Sequence, residues 1–320
     1  MNINFRIEKW LSRSNPFTNV YGLARTFLAS SSLLLLLFNN IDILFKPTSD
    51  TQQYPTCSAN YSLFCLTEFS NEGLAIMRWI CIIALLVIAS GWRPRFTGWL
   101  HAWIAFSLYH SATTIDGGEQ VVAVFTLILI PLTLMDDRKW HWQKPVQNLS
   151  EIKKIIGMTS YYAFRLQVAI LYFHSVVAKI AEENWVDGTA VWYYIQSPML
   201  GLNKIMLDFF HPILSSAFIV VPTWGTLLLQ TLLVISLVID KKYWKHIFVL
   251  AILMHEVFAI FLGLITFSLA MVGVLLLYLW PLEETFQFKG VRNLVSSINT
   301  KSKVSKKENE LCSEKKSYQS

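Results

Sequence analysis

Apolar residues along this chain come in runs of sixteen to twenty-one, and short polar stretches separate them. A helix needs about 20 residues at about 1.5 Å each to cross roughly 30 Å of hydrocarbon. That ruler predicts an all-α, polytopic membrane bundle of eight spans: Gly22 to Asn40, Gly73 to Ser90, Phe96 to Thr114, Gln120 to Met135, Tyr161 to Ile180, Trp224 to Ile239, Trp244 to Leu264 and Ile265 to Pro281. The fourth and sixth are short. Trp244 to Pro281 would measure roughly 57 Å as one helix, so a break is placed near Gly263. The first run is followed by FNNIDILFKP and not by a small-residue cleavage site, so it reads as a retained span. Asp187 to Thr223 fits no span; its apolar part, Ile213 to Val221, is bracketed by Pro212 and Pro222 and reads as re-entrant or interfacial.

Composition agrees with the pattern. The 320 residues are 54% hydrophobic and 15% charged, with mean hydropathy +0.43, whereas a soluble chain draws about 25% of its residues from charged types. Basic residues test the span count, because cytoplasmic loops carry the excess of Lys and Arg. Twenty-one of the 27 fall on one side of the predicted bundle, and only Lys46 and Lys204 on the other. Both termini are therefore expected to be cytoplasmic, in a multi-pass protein of the cell membrane. The division is 1–21, a cytoplasmic segment; 22–285, the transmembrane domain; and 286–320, a basic tail expected to be solvated or disordered. Topology and tail account for the basic balance, so nucleic acid is not an expected partner, whereas lipid is.

Cys57 and Cys65 share the first outer loop, where they either oxidise to a disulfide or remain two thiols. No metal-ligand spacing occurs, and no metal site is predicted.

Ionisable groups inside spans cost roughly 2.5 to 3.5 kcal/mol each on insertion scales, so each needs a partner, a cavity or a route to the interface. In the fifth span, Arg165, Tyr172, Ser175, Val176 and Lys179 share one face at 100° per residue, and His174 points nearly the opposite way. Lys179 either snorkels to the headgroups or lies in an outward cavity, where desolvation favours the neutral amine and lets it act as a base. Glu183 follows four residues later and could pair with it. Arg165 is expected in a structural ion pair. His255 and Glu256 lie near the midpoint of the seventh span on diverging faces; Glu256 is either protonated or paired with Arg25, Arg78 or Arg165. Tyr109 and His110 meet a short acidic turn, Asp116 to Glu119, and His101 is as much a packed residue as a ligand. Trp92, Trp99, Trp185, Trp192, Trp244 and Trp280 read as interfacial belt residues.

The segment LYFHSVVAKIAEENWVDGTAVWYYIQ, with YGLARTFLA, IDGGEQVVAVFTLILIPLTL and MHEVFAIFLGLITFSLAMVGVLLLYLWP, resembles the HTTM domain family, which includes vitamin K-dependent γ-carboxylase. NPFTNVYGLART and the length resemble more narrowly its SdpB branch, bacterial membrane proteins needed to mature a secreted peptide toxin. The resemblance covers most of residues 15–285. It implies Lys179 as a base, with His255, Tyr109 and His110 completing a catalytic set. Arg165, Tyr172, Glu256, Trp185 and Asp187 would surround a lipid such as a reduced quinone. It also implies a peptide-toxin precursor and a companion maturation protein as partners. Three functions follow as expectations: maturation of an antimicrobial peptide, a membrane oxidoreductase or carboxylase, or a non-catalytic export scaffold.

Overall fold

Each of the eight apolar runs folds as a helix whose ends are set by local chemistry. The computed structural model describes residues 15–47, 55, 57, 61–67, 70–113, 116–145, 149–198 and 200–286; residues 1–14 and the basic tail from 287 lie outside them. Helix α1 is Asn19–Phe38, followed by the single turn α2, Ile41–Leu44. Helix α3, Asn71–Ser90, starts where the Ser70 hydroxyl accepts from the Gly73 N–H. Helix α4, Pro94–Ser111, opens with proline, whose missing N–H has no helical partner to lose there. Asp116 and Glu119 form a capping box that starts α5, Gly117–Leu134. Helix α6, Glu151–Ile180, begins ten residues before the predicted span, because Ser150 caps it and Glu151 suits its first turn. The short α7, Glu183–Val186, α8, Ala190–Ile195, and α9, Lys204–Leu214, lead to α10, Val220–Ile235. Helices α11, Lys241–Leu262, and α12, Ile265–Leu279, complete the bundle.

The predicted break at Gly263 is present. Its φ of 72° ends α11 in the left-handed region that glycine enters without a Cβ penalty. The apolar piece read as re-entrant or interfacial divides between the end of α9 and the 3-10 turn Ala217–Ile219 that runs into α10, so Pro222 sits in the first turn of a long helix.

Among the described residues six helices are long and apolar enough to cross a membrane: α1, α3, α5, α6, α10 with its leading 3-10 turn, and α11. Of the other two predicted spans, α4 has 18 residues but carries Arg95, His101 and His110. Helix α12 has 15 residues and is buried at nearly every position from Ser268 to Leu279, the mark of a helix enclosed by protein. It packs on α1, where a Cβ added at Gly273 would stand 2.8 Å from the Ala24 carbonyl oxygen. Within its apolar window α1 is 67% buried, against 28% for α3, α6, α10 and α11, so α1 and α12 form the centre and those four present apolar faces outward. Ile76, Ile83, Leu228, Leu253 and Ile260 are among the exposed side chains. This is a helical membrane protein; among the described residues no strand occurs, only one isolated bridge between Trp92 and Trp140.

All six ion pairs among the described residues lie in loops and first turns at one end of the bundle. Asp137 meets Arg95 and Lys153, Glu283 and Glu284 meet Lys241 and Lys245, and Asp240 meets Lys242. These five are exposed and each contributes little. The sixth, Arg138 with Asp136 at 2.7 Å, is buried, and Arg138 also donates to the carbonyls of His141 and Gln143. That folded loop presses His141 against Gly22 and Gly91, where burial pushes its pKa well below the ordinary histidine value, helped by the nearby positive charges of Arg25 and Arg138.

At the opposite end Cys57 and Cys65 are disulfide-bonded, with Cα atoms 5.8 Å apart, which settles the alternative left by the sequence. The bonded loop is anchored by Phe64, buried against Phe45, and by the Leu63 N–H, which donates to Ser107 Oγ at 3.0 Å.

Candidate functional site

The stripe on α6 exists, and it meets three different environments along the helix. Nearest the ion-paired end, Arg165 lies in an aromatic box: its guanidinium carbon is 4.1 Å from the Trp244 ring centroid, 5.4 Å from Tyr278 and 5.9 Å from Tyr161. One guanidinium nitrogen reaches the Ser236 carbonyl at 3.5 Å. The expected ion pair is therefore replaced by ring faces, which attract a desolvated cation without bringing in a second charge that must also be dehydrated. Trp244 is correspondingly buried, not a belt residue, because its ring is the floor of this box.

Seven residues on, Tyr172 and His255 are both buried, with the tyrosine hydroxyl 3.0 Å from Nε2. Rings of Phe258 and Phe267 flank the imidazole at 5.7 and 5.5 Å. When Tyr172 donates to Nε2, the proton sits on Nδ1, which has no acceptor. Phe267 also ties this layer to the acidic turn: its backbone lies under Gly118, and the neighbouring Thr266 hydroxyl donates to Asp116 Oδ2 at 3.0 Å.

At the far end of α6, Lys179 Nζ donates to Ser175 Oγ at 2.7 Å and lies 5.2 Å from the centroid of the Trp185 ring. Ser175 Oγ donates in turn to Gln230 Oε1 on α10 at 3.2 Å. Trp185 is buried, not interfacial, and its indole N–H has no acceptor. The predicted Glu183 partner is not used, because α6 ends at Ile180 and the chain turns before Glu183 completes the helical register.

The remaining predicted residues do not join this set. Glu256 is exposed on the other face of α11 and accepts from Ser268 at 3.0 Å, so none of Arg25, Arg78 or Arg165 pairs with it. Arg25 donates to Thr97, and Arg78 to the carbonyls of Leu36 and Leu37. Asp187 holds a turn by accepting from the N–H and hydroxyl of Thr189. Tyr109 and His110 sit on α4, which packs on α3 and α5; the His110 ring rests on Phe106 and Tyr109 at 4.2 and 4.9 Å.

A cavity of about 590 Å³ opens at the disulfide-bearing end, lined by Leu35, Asn39, Asp116, Leu202, Met206 and Phe261 among others. Lys179, Tyr172 and His255 do not line it. Gln230 escaped the sequence reading altogether; its only signal was an amide inside an apolar run, where a polar side chain needs a partner.

No family model matches the chain, and no solved structure does. Two curated relatives match over almost the full length, both from Bacillus subtilis strain 168. The uncharacterized protein YitO is 48% identical over 295 residues, which is 92% of this chain and 95% of YitO. The sporulation-delaying protein SdpB is 34% identical over 306 residues, 95% of this chain and 94% of SdpB. At 34% identity to SdpB over almost the whole of both chains, the chain belongs to the SdpB family.

Proposed function

We propose that this protein is a cell-membrane factor in the production of a secreted peptide toxin, acting on the precursor at the outward end of the bundle beside a companion maturation protein. The observation that carries the reading is the end-to-end similarity to the sporulation-delaying protein SdpB. The disulfide supports the orientation: it stands at the end away from every described ion pair, and disulfides persist in oxidising compartments. Lysines and arginines gathered at the other end suit a cytoplasmic face.

The test is a gene deletion in the host cell followed by exact-mass profiling of secreted peptides, reduced and alkylated. Loss or mass change of a secreted antibacterial peptide is the expected result. An unchanged peptide profile with undiminished killing removes the proposal.

A further inference from the structure

The chemistry at the far end of α6 goes beyond the maturation role, and it rests on that role for its substrate. Ser175 and Lys179 are one helical turn apart, so their side chains meet on one face, with Oγ and Nζ at 2.7 Å. Ser175 is half-buried and lies five residues from the helix end, about 8 Å in from the outward end at about 1.5 Å per residue. Among the described residues no ion pair reaches Lys179. A second, independent feature stands beside the pair: the Trp185 ring lies against the amine, and its buried N–H is aimed at no acceptor. A buried donor without a partner costs about 1 to 3 kcal/mol, so its retention against the amine that holds Ser175 suits an oxygen that arrives later.

The geometry points to a serine–lysine acyl-transfer site that cleaves an amide bond of the peptide precursor, with Ser175 as nucleophile, Lys179 as base and the Trp185 N–H as oxyanion donor. The Ser175 hydroxyl turns from Gln230 Oε1 to the uncharged Lys179 amine, and Oγ adds to the scissile carbonyl carbon as its proton passes to that amine. The carbonyl oxygen becomes an oxyanion that accepts from Trp185. The C–N bond then breaks, the leaving amine takes the proton from Lys179, and an ester to Ser175 remains. Water adds to that ester, giving its proton to Lys179; the C–O bond to Ser175 breaks and the serine recovers the proton. The net change is one amide and one water to a carboxylic acid and an amine. Lysine as the base for a serine is a known variant of nucleophilic catalysis, and a single oxyanion donor is commonly worth about 10²- to 10³-fold in rate.

Chromosomal substitutions in the host cell, with the full-length protein quantified in membranes, test this by the exact mass of the secreted peptide. The deletion strain first identifies the peptide that depends on the protein; no such peptide would overturn the maturation role and this inference together. Where the peptide is identified, Ser175→Ala and Lys179→Arg are expected to accumulate a precursor heavier by the uncleaved segment. Ser175→Cys keeps a nucleophile and is expected to retain cleavage that N-ethylmaleimide abolishes, while wild type is unaffected by the reagent. Trp185→Phe is expected to slow cleavage about 10²-fold. Arginine preserves the cation, the bond to Ser175 and the contact with Trp185, but it does not give up its proton. Normal peptide from Lys179→Arg, or cleavage by Ser175→Cys that resists the reagent, overturns the acyl-transfer site and leaves the maturation role standing.

Discussion

Replacing Trp244 by leucine removes the floor of the Arg165 box and leaves a buried guanidinium with one carbonyl contact at 3.5 Å and the more distant rings of Tyr278 and Tyr161. The guanidinium carbon stands 4.1 Å from that ring, close enough for a desolvated cation–π contact worth about 2 kcal/mol. The indole N–H also donates to the Ile239 carbonyl at 3.0 Å, a bond of about 1 kcal/mol net. The single substitution is thus expected to cost about 3 kcal/mol. In a companion Arg165→Leu background the same change should cost about 2 kcal/mol less, because no cation remains to be stranded. Unfolding can be followed through Cys81, which is buried and free, with a thiol-reactive dye in a Cys312→Ser background. At about 2 to 4 °C per kcal/mol, Trp244→Leu should lower the midpoint by about 6 to 12 °C. A coupling between the two sites below about 0.5 kcal/mol would refute the aromatic box as what holds Arg165.

Gly273→Val should lower the same midpoint by several degrees, since a Cβ there meets the Ala24 carbonyl at 2.8 Å and overpacking costs about 1 to 3 kcal/mol. Cys57→Ser should loosen the loop anchored by Phe64, with roughly 2.5 kcal/mol lost in the chain-entropy model; mass spectrometry should find Cys57 and Cys65 of the wild type alkylated only after reduction. His141 is held neutral by burial, so the unfolded chain binds the proton first as pH falls below about 6.5. Its stabilising contribution is full above that pH and lost below it, and His141→Asn should flatten the fall of the midpoint between about pH 7 and 5; an unchanged slope would show that His141 does not titrate across unfolding. A cysteine placed at Tyr61 should react with an impermeant maleimide in intact cells and one at Gln143 only after permeabilisation, and the reverse would invert the orientation.

Helix positions were legible because an apolar run of sixteen or more residues has few ways to satisfy its backbone in hydrocarbon. The break at Gly263 was legible from length alone. The α6 stripe was legible from its 3.6-residue period, which puts Arg165, Tyr172, Ser175 and Lys179 on one face whatever packs against them. Partners were not. Arg165 was expected in an ion pair and lies among three rings, and Glu256, expected either protonated or paired with an arginine, accepts from a serine. Local spacing holds no information about which residue of α10, α11 or α12 arrives opposite.

The sequence by itself therefore determined what short-range physics controls: a helical membrane protein, the helix positions, the face that each helix turns polar, and the segregation of basic residues. The tertiary structure alone decided which helices are central, with α1 and α12 enclosed by the rest. It also decided that Tyr172 meets His255 and that Lys179 meets Trp185 while Tyr109 and His110 stay on α4. Those pairings join residues up to 83 positions apart, as in Tyr172 with His255, and such contacts follow from how whole helices pack, not from the period within any one of them.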